Sequence, residues 1–193
     1  MCKPASFIVL KDRVVWSKRT DSHEDIIAEF GLHEGAARVN FVRVEISPAG
    51  GDLASDPASW VYRTDQDSVP KWYDPAAAEA EVRAELAAWV EAKVIASGRR
   101  DISDGQIYAY GSATVKAYGS ATVRAYGSAT VRASDSATVK ASGSATVEAS
   151  GSATVEAYGS ATVRAYGSAL IRDYRTNPPT IRFRAGAYKV EEI

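Results

Sequence analysis

Long hydrophobic runs are missing from this 193-residue chain, and so are paired cysteines: there is one Cys and one Met, with two His, four Trp and four Phe. With no stretch of eighteen apolar residues, no membrane span is expected, and the N-terminus lacks the charged start and apolar run of a secretory signal. The single Cys excludes an internal disulfide framework. No phosphate loop, dinucleotide fingerprint or zinc-ligand spacing occurs, so neither a cofactor nor a metal is expected. A large charge of one sign is missing too, since 23 basic and 24 acidic residues leave a net charge of −1. Residues 1–108 carry −5, residues 109–172 carry +3 and residues 173–193 carry +1. Such a balance offers neither the continuous basic track of a nucleic-acid binder nor the long acidic face of a DNA mimic, which places both roles last among the expectations.

What the chain does have is an eight-residue phrase written eight times between residues 109 and 172: AYGSATVK, AYGSATVR, AYGSATVR, ASDSATVK, ASGSATVE, ASGSATVE, AYGSATVR, AYGSALIR. A short fixed period means that each unit buries its apolar side only against its neighbours, which predicts a stacked solenoid. Ala113, Val115 and Ala117 fall on one side of an extended chain and Ser112, Thr114 and Lys116 on the other. The Ala and Val side is the expected interior. Gly recurs before Ser at every eighth position, with Asp135 its one replacement, as suits a corner that needs positive φ. Helix is excluded, because the spacing is eight with internal alternation, rich in Val and Thr.

One strand and one corner per unit can close a coil after two units (sixteen residues, two-sided) or three (twenty-four, triangular). With sixteen, the columns read Lys116, Arg132, Glu148, Arg164 and Arg124, Lys140, Glu156, Arg172, so each Glu lies between cations. With twenty-four, Lys116, Lys140 and Arg164 stack as like charges about 4.8 Å apart, which is unfavourable. The two-sided β-solenoid is therefore expected. A near-corner Tyr at 110, 118, 126, 158 and 166 forms broken ladders on it, either shielding the coil edge or making a contact surface. No Leu, Phe or Trp occurs in the repeats before Leu170, so the interior is thin.

Residues 1–100 read as an α+β head domain, residues 101–172 as the solenoid, and 173–193 as a C-terminal capping strand or dimerisation segment. In the head, Phe7 to Leu10 and Val14 to Trp16 suggest a hairpin. Ser22 and Asp25 suggest a helix cap before Ile26, Ile27 and Phe30, with Gly31 at the end. Val39, Phe41 or Val42, Val44 and Ile46 alternate as a core strand, and Trp60 to Arg63 form another. Asp74 and Pro75 open a long helix with Val82, Leu86, Trp89, Val90 and Val94 as its stripe, closing near Ser97 and Gly98. After Arg175, Asn177, Pro178 and Pro179, Ile181 and Phe183 mark one more strand, expected to cover an apolar Leu170.

Three places carry candidate chemistry. Cys2, freed by removal of Met1, is the residue for an N-terminal nucleophile using its own α-amino group as base. Asp21, His23, Glu24 and Asp25 cluster metal or acid–base groups, although a helix start also favours acids there. Asp65, Asp67 and Asp74 around Trp72 and Tyr73 suggest a cation or sugar site, or ordinary turns.

The tyrosine–glycine–serine corners and eight-residue half-coils resemble the repeats of bacterial ice-nucleation proteins, which implies a sixteen-residue coil; the flat Thr-x-Thr face is replaced here by Thr-Val-charge, so ice binding is not implied. MCKPASF, WSKRTDSHEDIIAEFGL, NFVRVEIS and WVYRTDQDSVPKWYD resemble an uncharacterised family encoded by tailed bacteriophages and prophages, with a similar head before a short-repeat tail. That resemblance implies a phage origin, a host-cell cytoplasmic or virion location, and no assigned catalytic residue. The expected function is a non-enzymatic binding protein that displays Thr, Tyr and charged columns (Tyr110, Tyr118, Tyr126, Tyr158, Tyr166, Lys116, Arg124, Arg132, Lys140, Glu148, Glu156, Arg164 and Arg172) to a host protein or to another copy. A homodimer through the C-terminal edge or the Tyr ladder is one form of this, and an enzyme built on Cys2 with the solenoid as targeting arm is the alternative.

Overall fold

A computed structural model describes residues 4–33 and 40–174, and the backbone of 181–183 and 189–192. The chain divides into two compact units, Met1–Ala92 and Lys93–Ile193.

The first unit is α+β. Strand β1 (Ser6–Val9) turns into β2 (Val14–Val15), and β1 also pairs antiparallel with β3 (Val42–Ser47), which pairs with β4 (Val61–Thr64), in the order β2-β1-β3-β4. The hairpin is closed by the Leu10 N–H donating to the Arg13 carbonyl at 2.8 Å. Alternation puts Phe7, Val9, Val42, Val44 and Ile46 on one face, all buried. On the other, Ile8 joins Val15, Ile26 and Phe41 in a cluster topped by Leu10, Ile27 and Leu32. Both flanks of the hesitation between Phe41 and Val42 are thus core, while Val39 lies outside the described residues.

Helix α1 (His23–Glu29) starts where the Ser22 hydroxyl accepts from the Asp25 N–H at 3.3 Å, and it stops at Phe30 before the left-handed Gly31. Helix α2 (Pro75–Lys93) is capped by Asp74, whose carboxylate accepts from the Ala76 and Ala77 N–H groups at 2.9 and 3.3 Å. Val82, Leu86 and Trp89 are its buried stripe, and Trp89 meets the Trp60 ring edge-on at 6.1 Å. The expected end near Gly98 is corrected: the helix stops at Lys93, and Val94 and Ile95 are already a strand paired with Tyr108 and Ala109. Two β-branched residues prefer this ladder to another helical half-turn.

The second unit is a two-sided parallel β-solenoid with sixteen residues per coil. Thr130–Ala133 pairs with Thr114–Ala117 on one side and Thr146–Ala149 on the other, each residue facing its equivalent sixteen away. The remaining repeat strands alternate between this sheet and the opposite one in the same register. The Ala and Val positions are buried throughout, Ala113, Val115 and Ala117 at 0% exposure, and they form one continuous apolar cluster. Each buried Val contributes roughly 1.5–3 kcal/mol. The backbone adds a ladder of coil-to-coil bonds, such as the Thr130 N–H to the Ala113 carbonyl and the Ser134 N–H to the Ala117 carbonyl, both 2.9 Å.

Stacking does not begin with the repeats. Strands Arg99–Ile102 and Gln106–Ala109 sit in register beneath Thr114–Ala117 and Thr122–Ala125, with Ile102 opposite Ala117 and Ile107 opposite Val123. Beyond the repeats, Ile181–Phe183 and Lys189–Glu192 carry both sheets on in parallel, pairing with Val163–Ala165 and Leu170–Asp173, so the expectation that the strand of Ile181 and Phe183 covers Leu170 is corrected: strands alternate between the two sheets, and Leu170 pairs with Lys189.

Each corner is a tight turn, as where the Ala121 N–H donates to the Tyr118 carbonyl at 3.2 Å. Its second residue is left-handed: Gly119 has φ +59°, and Asp135, the one non-glycine there, φ 56°. A Cβ on Gly119 would lie 2.5 Å from the Ser103 carbonyl oxygen. Strain and that clash together give the first prediction. Gly119→Ala should lower unfolding free energy by about 1–3 kcal/mol, read from the urea midpoint of the intact chain; an unchanged midpoint would contradict the corner geometry.

Candidate functional site: surface columns of the solenoid and a cluster around His23

Because the coils between Gln106 and Asp173 repeat every sixteen residues, each outward position there becomes a column. The half-buried Thr114, Thr130, Thr146 and Thr162 face one another in one sheet, and Thr122, Thr138 and Thr154 in the other. The charged columns stand as the sequence orders them. Glu148 lies between Arg132 and Arg164, with nitrogen–oxygen distances of 3.2 Å to each. Glu156 lies between Lys140 at 2.9 Å and Arg172 at 3.9 Å, and also accepts from the Tyr158 hydroxyl at 3.0 Å. At the other ends, Lys116 lies over the Tyr118 ring and Arg124 over the buried Tyr108 ring, at 5.9 and 5.5 Å from the centroids.

The tyrosines form two columns, one at each set of corners. The first reads Tyr118, Ser134, Ser150, Tyr166. The second reads Tyr110, Tyr126, Ser142, Tyr158 and, just past the repeats, Tyr174. In the second, Tyr110 stacks on Tyr126 and Tyr158 on Tyr174, both at 4.8 Å with interplanar angles of 13° and 5°. Sequence reasoning missed Tyr174 because it lies outside the repeated phrase, although sixteen residues from Tyr158 it is in period. In the first column the two serines leave a concavity of about 220 Å³, lined by Ser134, Ser150 and Tyr166 with Lys116, Arg132 and Glu148 on its flank. Tyr118 and Tyr166 are each 38% exposed. Tyr and charged columns beside half-buried Thr on an apolar stack are the makings of a binding or oligomerising surface.

The head brings together residues that the sequence keeps apart. Asp21 is buried and accepts from the Trp89 indole N–H at 3.1 Å. Glu24 and Asp25 serve the helix start, Glu24 beside the Ser22 hydroxyl and Asp25 beside that of Thr20, each at 3.1 Å. His23 is 1% exposed and turns away from these acids. Its Nε2 lies 3.1 Å from the Val44 carbonyl and its Nδ1 3.1 Å from Asp65 Oδ2. Glu45 of β3 completes the group, the three ligand-type atoms lying within 4.8 Å of one another. Asp65 is placed by its N–H donating to the Arg43 carbonyl at 2.8 Å, one step beyond β4, and by Gln66, which accepts from the Arg43 N–H at 2.9 Å. Asp74 caps α2, so it does not gather with Asp65. Cys2 lies outside the described residues, and nothing among those residues assembles an active site for a cysteine nucleophile.

The ion-pair columns make a pH prediction. Burial alone would raise the Glu156 carboxyl, but hydrogen bonds from Lys140 and Tyr158 and the charges of Lys140 and Arg172 hold it below its ordinary value. A depressed folded value means that Glu156 contributes stability above the unfolded value near 4.5, lost as pH falls through the folded value. Glu156→Gln should therefore cost about 1 kcal/mol at pH 7, with the gap to wild type closing below about pH 4. Urea midpoints from pH 7 to 3 check this; a gap that persists at pH 3 would contradict it.

No family model, no curated protein and no solved structure matches the chain. Among the described residues no helix is long and apolar enough to cross a membrane. The β-solenoid stands on the structure itself, whereas a link to phage proteins or to ice-nucleation proteins gains no support from these comparisons.

Proposed function

We propose that this is a non-enzymatic interaction protein of phage origin whose solenoid offers its tyrosine and charge columns to a partner, and that the partner the surface fits is a second copy of the chain. The observation that carries the reading is the contrast between interior and surface. Ala and Val positions barely change from unit to unit, while Tyr alternates with Ser and Lys or Arg with Glu at outward positions that the fold does not fix. The alternating charges leave neither a continuous cationic track nor an acidic face, which argues against DNA binding and DNA mimicry.

The two tyrosine columns are complementary in size. A stacked pair such as Tyr158 and Tyr174 occupies two rungs at 4.8 Å, and the gap at Ser134 and Ser150 is two rungs wide. With that pair set side by side in the gap, Ser142 falls opposite Tyr118 or Tyr166, small against large in either direction. A host protein is the second reading, favoured by the same concavity if copies do not associate.

The test is the sedimentation behaviour of the intact chain and of Ser134→Tyr/Ser150→Tyr, which fills the gap at exposed corner positions. Wild type is expected to associate with rising concentration and the double variant to remain monomeric with an unchanged circular dichroism spectrum. A wild type that is monomeric up to millimolar concentration, or a variant that associates equally well, would overturn self-association through the ladder.

A further inference from the structure

The environment of His23 is unusual in its chemistry. The imidazole is 1% exposed, and both ring nitrogens face oxygens that only accept: the Val44 carbonyl at Nε2 and the Asp65 carboxylate at Nδ1, each at 3.1 Å. A neutral imidazole has one N–H. Given to Val44, it leaves the Nδ1 lone pair aimed at a carboxylate oxygen, a repulsive contact in a buried place. Given instead to Asp65, it leaves the Nε2 lone pair against the Val44 carbonyl, so in either tautomer one acceptor faces another, and a second proton or a metal ion at Nδ1 with the N–H on Nε2 relieves the contact.

Two observations favour the metal. The Nε2–H to a backbone carbonyl is the outer hydrogen bond that ordinarily fixes a ligating histidine, leaving Nδ1 as the donor. Two carboxylates, Asp65 and Glu45, gather at the imidazole, the ligand atoms of the three residues lying within 4.8 Å of one another. Asp65 is half exposed, so the group is reachable from solvent although His23 is not.

We propose that His23 Nδ1, Glu45 and Asp65 form a binding site for one divalent first-row metal ion of the zinc or manganese type, with its remaining positions open to water or to an oxygen ligand. One imidazole and two carboxylates suit these ions. The three ligands come from the start of α1, from β3 and from the residue after β4, so the ion ties the helix to the sheet.

The experiment uses the intact chain carrying Cys2→Ser, which removes the competing thiol, stripped with chelator and titrated with Zn²⁺ and separately with Mn²⁺ by calorimetry. One equivalent should bind and raise the thermal midpoint. Asp65→Asn and Glu45→Gln, both substitutions of side chains that reach solvent, should each weaken binding at least tenfold and remove the midpoint shift. Absence of stoichiometric binding by either ion would overturn the proposal. So would binding that survives both substitutions, or a nitrogen NMR spectrum showing His23 doubly protonated in excess zinc. The site does not depend on self-association, so sedimentation and calorimetry can fail separately.

Discussion

The solenoid depends on parallel stacking of each coil on the last, at sixteen residues throughout the repeats. Once Thr130 is paired with Thr114 and Thr146, every other residue of the coil is committed to a column of its own equivalents. Such a geometry is unforgiving of like charges and of bulk pointing inward, and generous to anything that stacks. It explains why Ala and Val fill the interior, why the corners hold Gly or Asp, and why tyrosines meet face to face at 4.8 Å. Corner and column are one constraint: the left-handed residue lets a chain reverse within two residues, and the absence of a Cβ lets the next coil approach. At Gly143 a Cβ would stand 3.1 Å from the Gly127 nitrogen, so the spacing between coils is itself set by glycine.

Much of this was legible in the sequence because a repeat multiplies its own signal. The alternation of Ala113, Val115 and Ala117 is weak in one unit and decisive in eight, and the placing of Glu148 and Glu156 between cations separates a sixteen-residue coil from a twenty-four-residue one on the sequence alone. Where the repeat ends, so did the legibility. The stretch from Val94 to Ile102 stacks on the same two sheets at a shorter spacing, fourteen residues from Val94 to Tyr108 and fifteen from Arg99 to Thr114; Ile102 and Ile107 replace the small interior residues, and Gly98 and Gly105 supply turns without the surrounding phrase. Lys93 and Val94 continue a helical pattern that only the ladder with Tyr108 interrupts. Tertiary pairing decided there, and two β-branched residues after a long helix are too weak a local signal to announce it.

In the head, local and long-range information separate cleanly. Caps at Ser22 and Asp74 and the alternation through Val42, Val44 and Ile46 are short-range signals, and the structure honours each of them. The acids near His23 in sequence were the natural candidates for its partners, yet α1 takes them for its own first turn and points the imidazole inward. The carboxylates that meet it arrive from β3 and from beyond β4, brought there by sheet register rather than by spacing. A site assembled across three elements leaves no pattern in the chain, and so its chemistry had to be read from the distances.

The charged columns of the solenoid are tied to both fold and surface, and the two demands differ in strength. Exposed ion pairs contribute little, about 1 kcal/mol at most, and Arg132 with its side chain 69% exposed belongs to that class. Glu156 stands at the upper end of that range: its side chain is 14% exposed, held by a lysine, an arginine and a tyrosine hydroxyl. A column of four cations at this spacing would repel along its whole length, so one acid per column of the repeats relieves the stack, with Asp101 opposite Lys116 and Glu191 opposite Arg172 beyond them. Where the acid sits within the column is less constrained than that it be present. Sequence variation on this surface should therefore move glutamates along columns rather than delete them, and recognition by a partner can use the position while stability uses the charge.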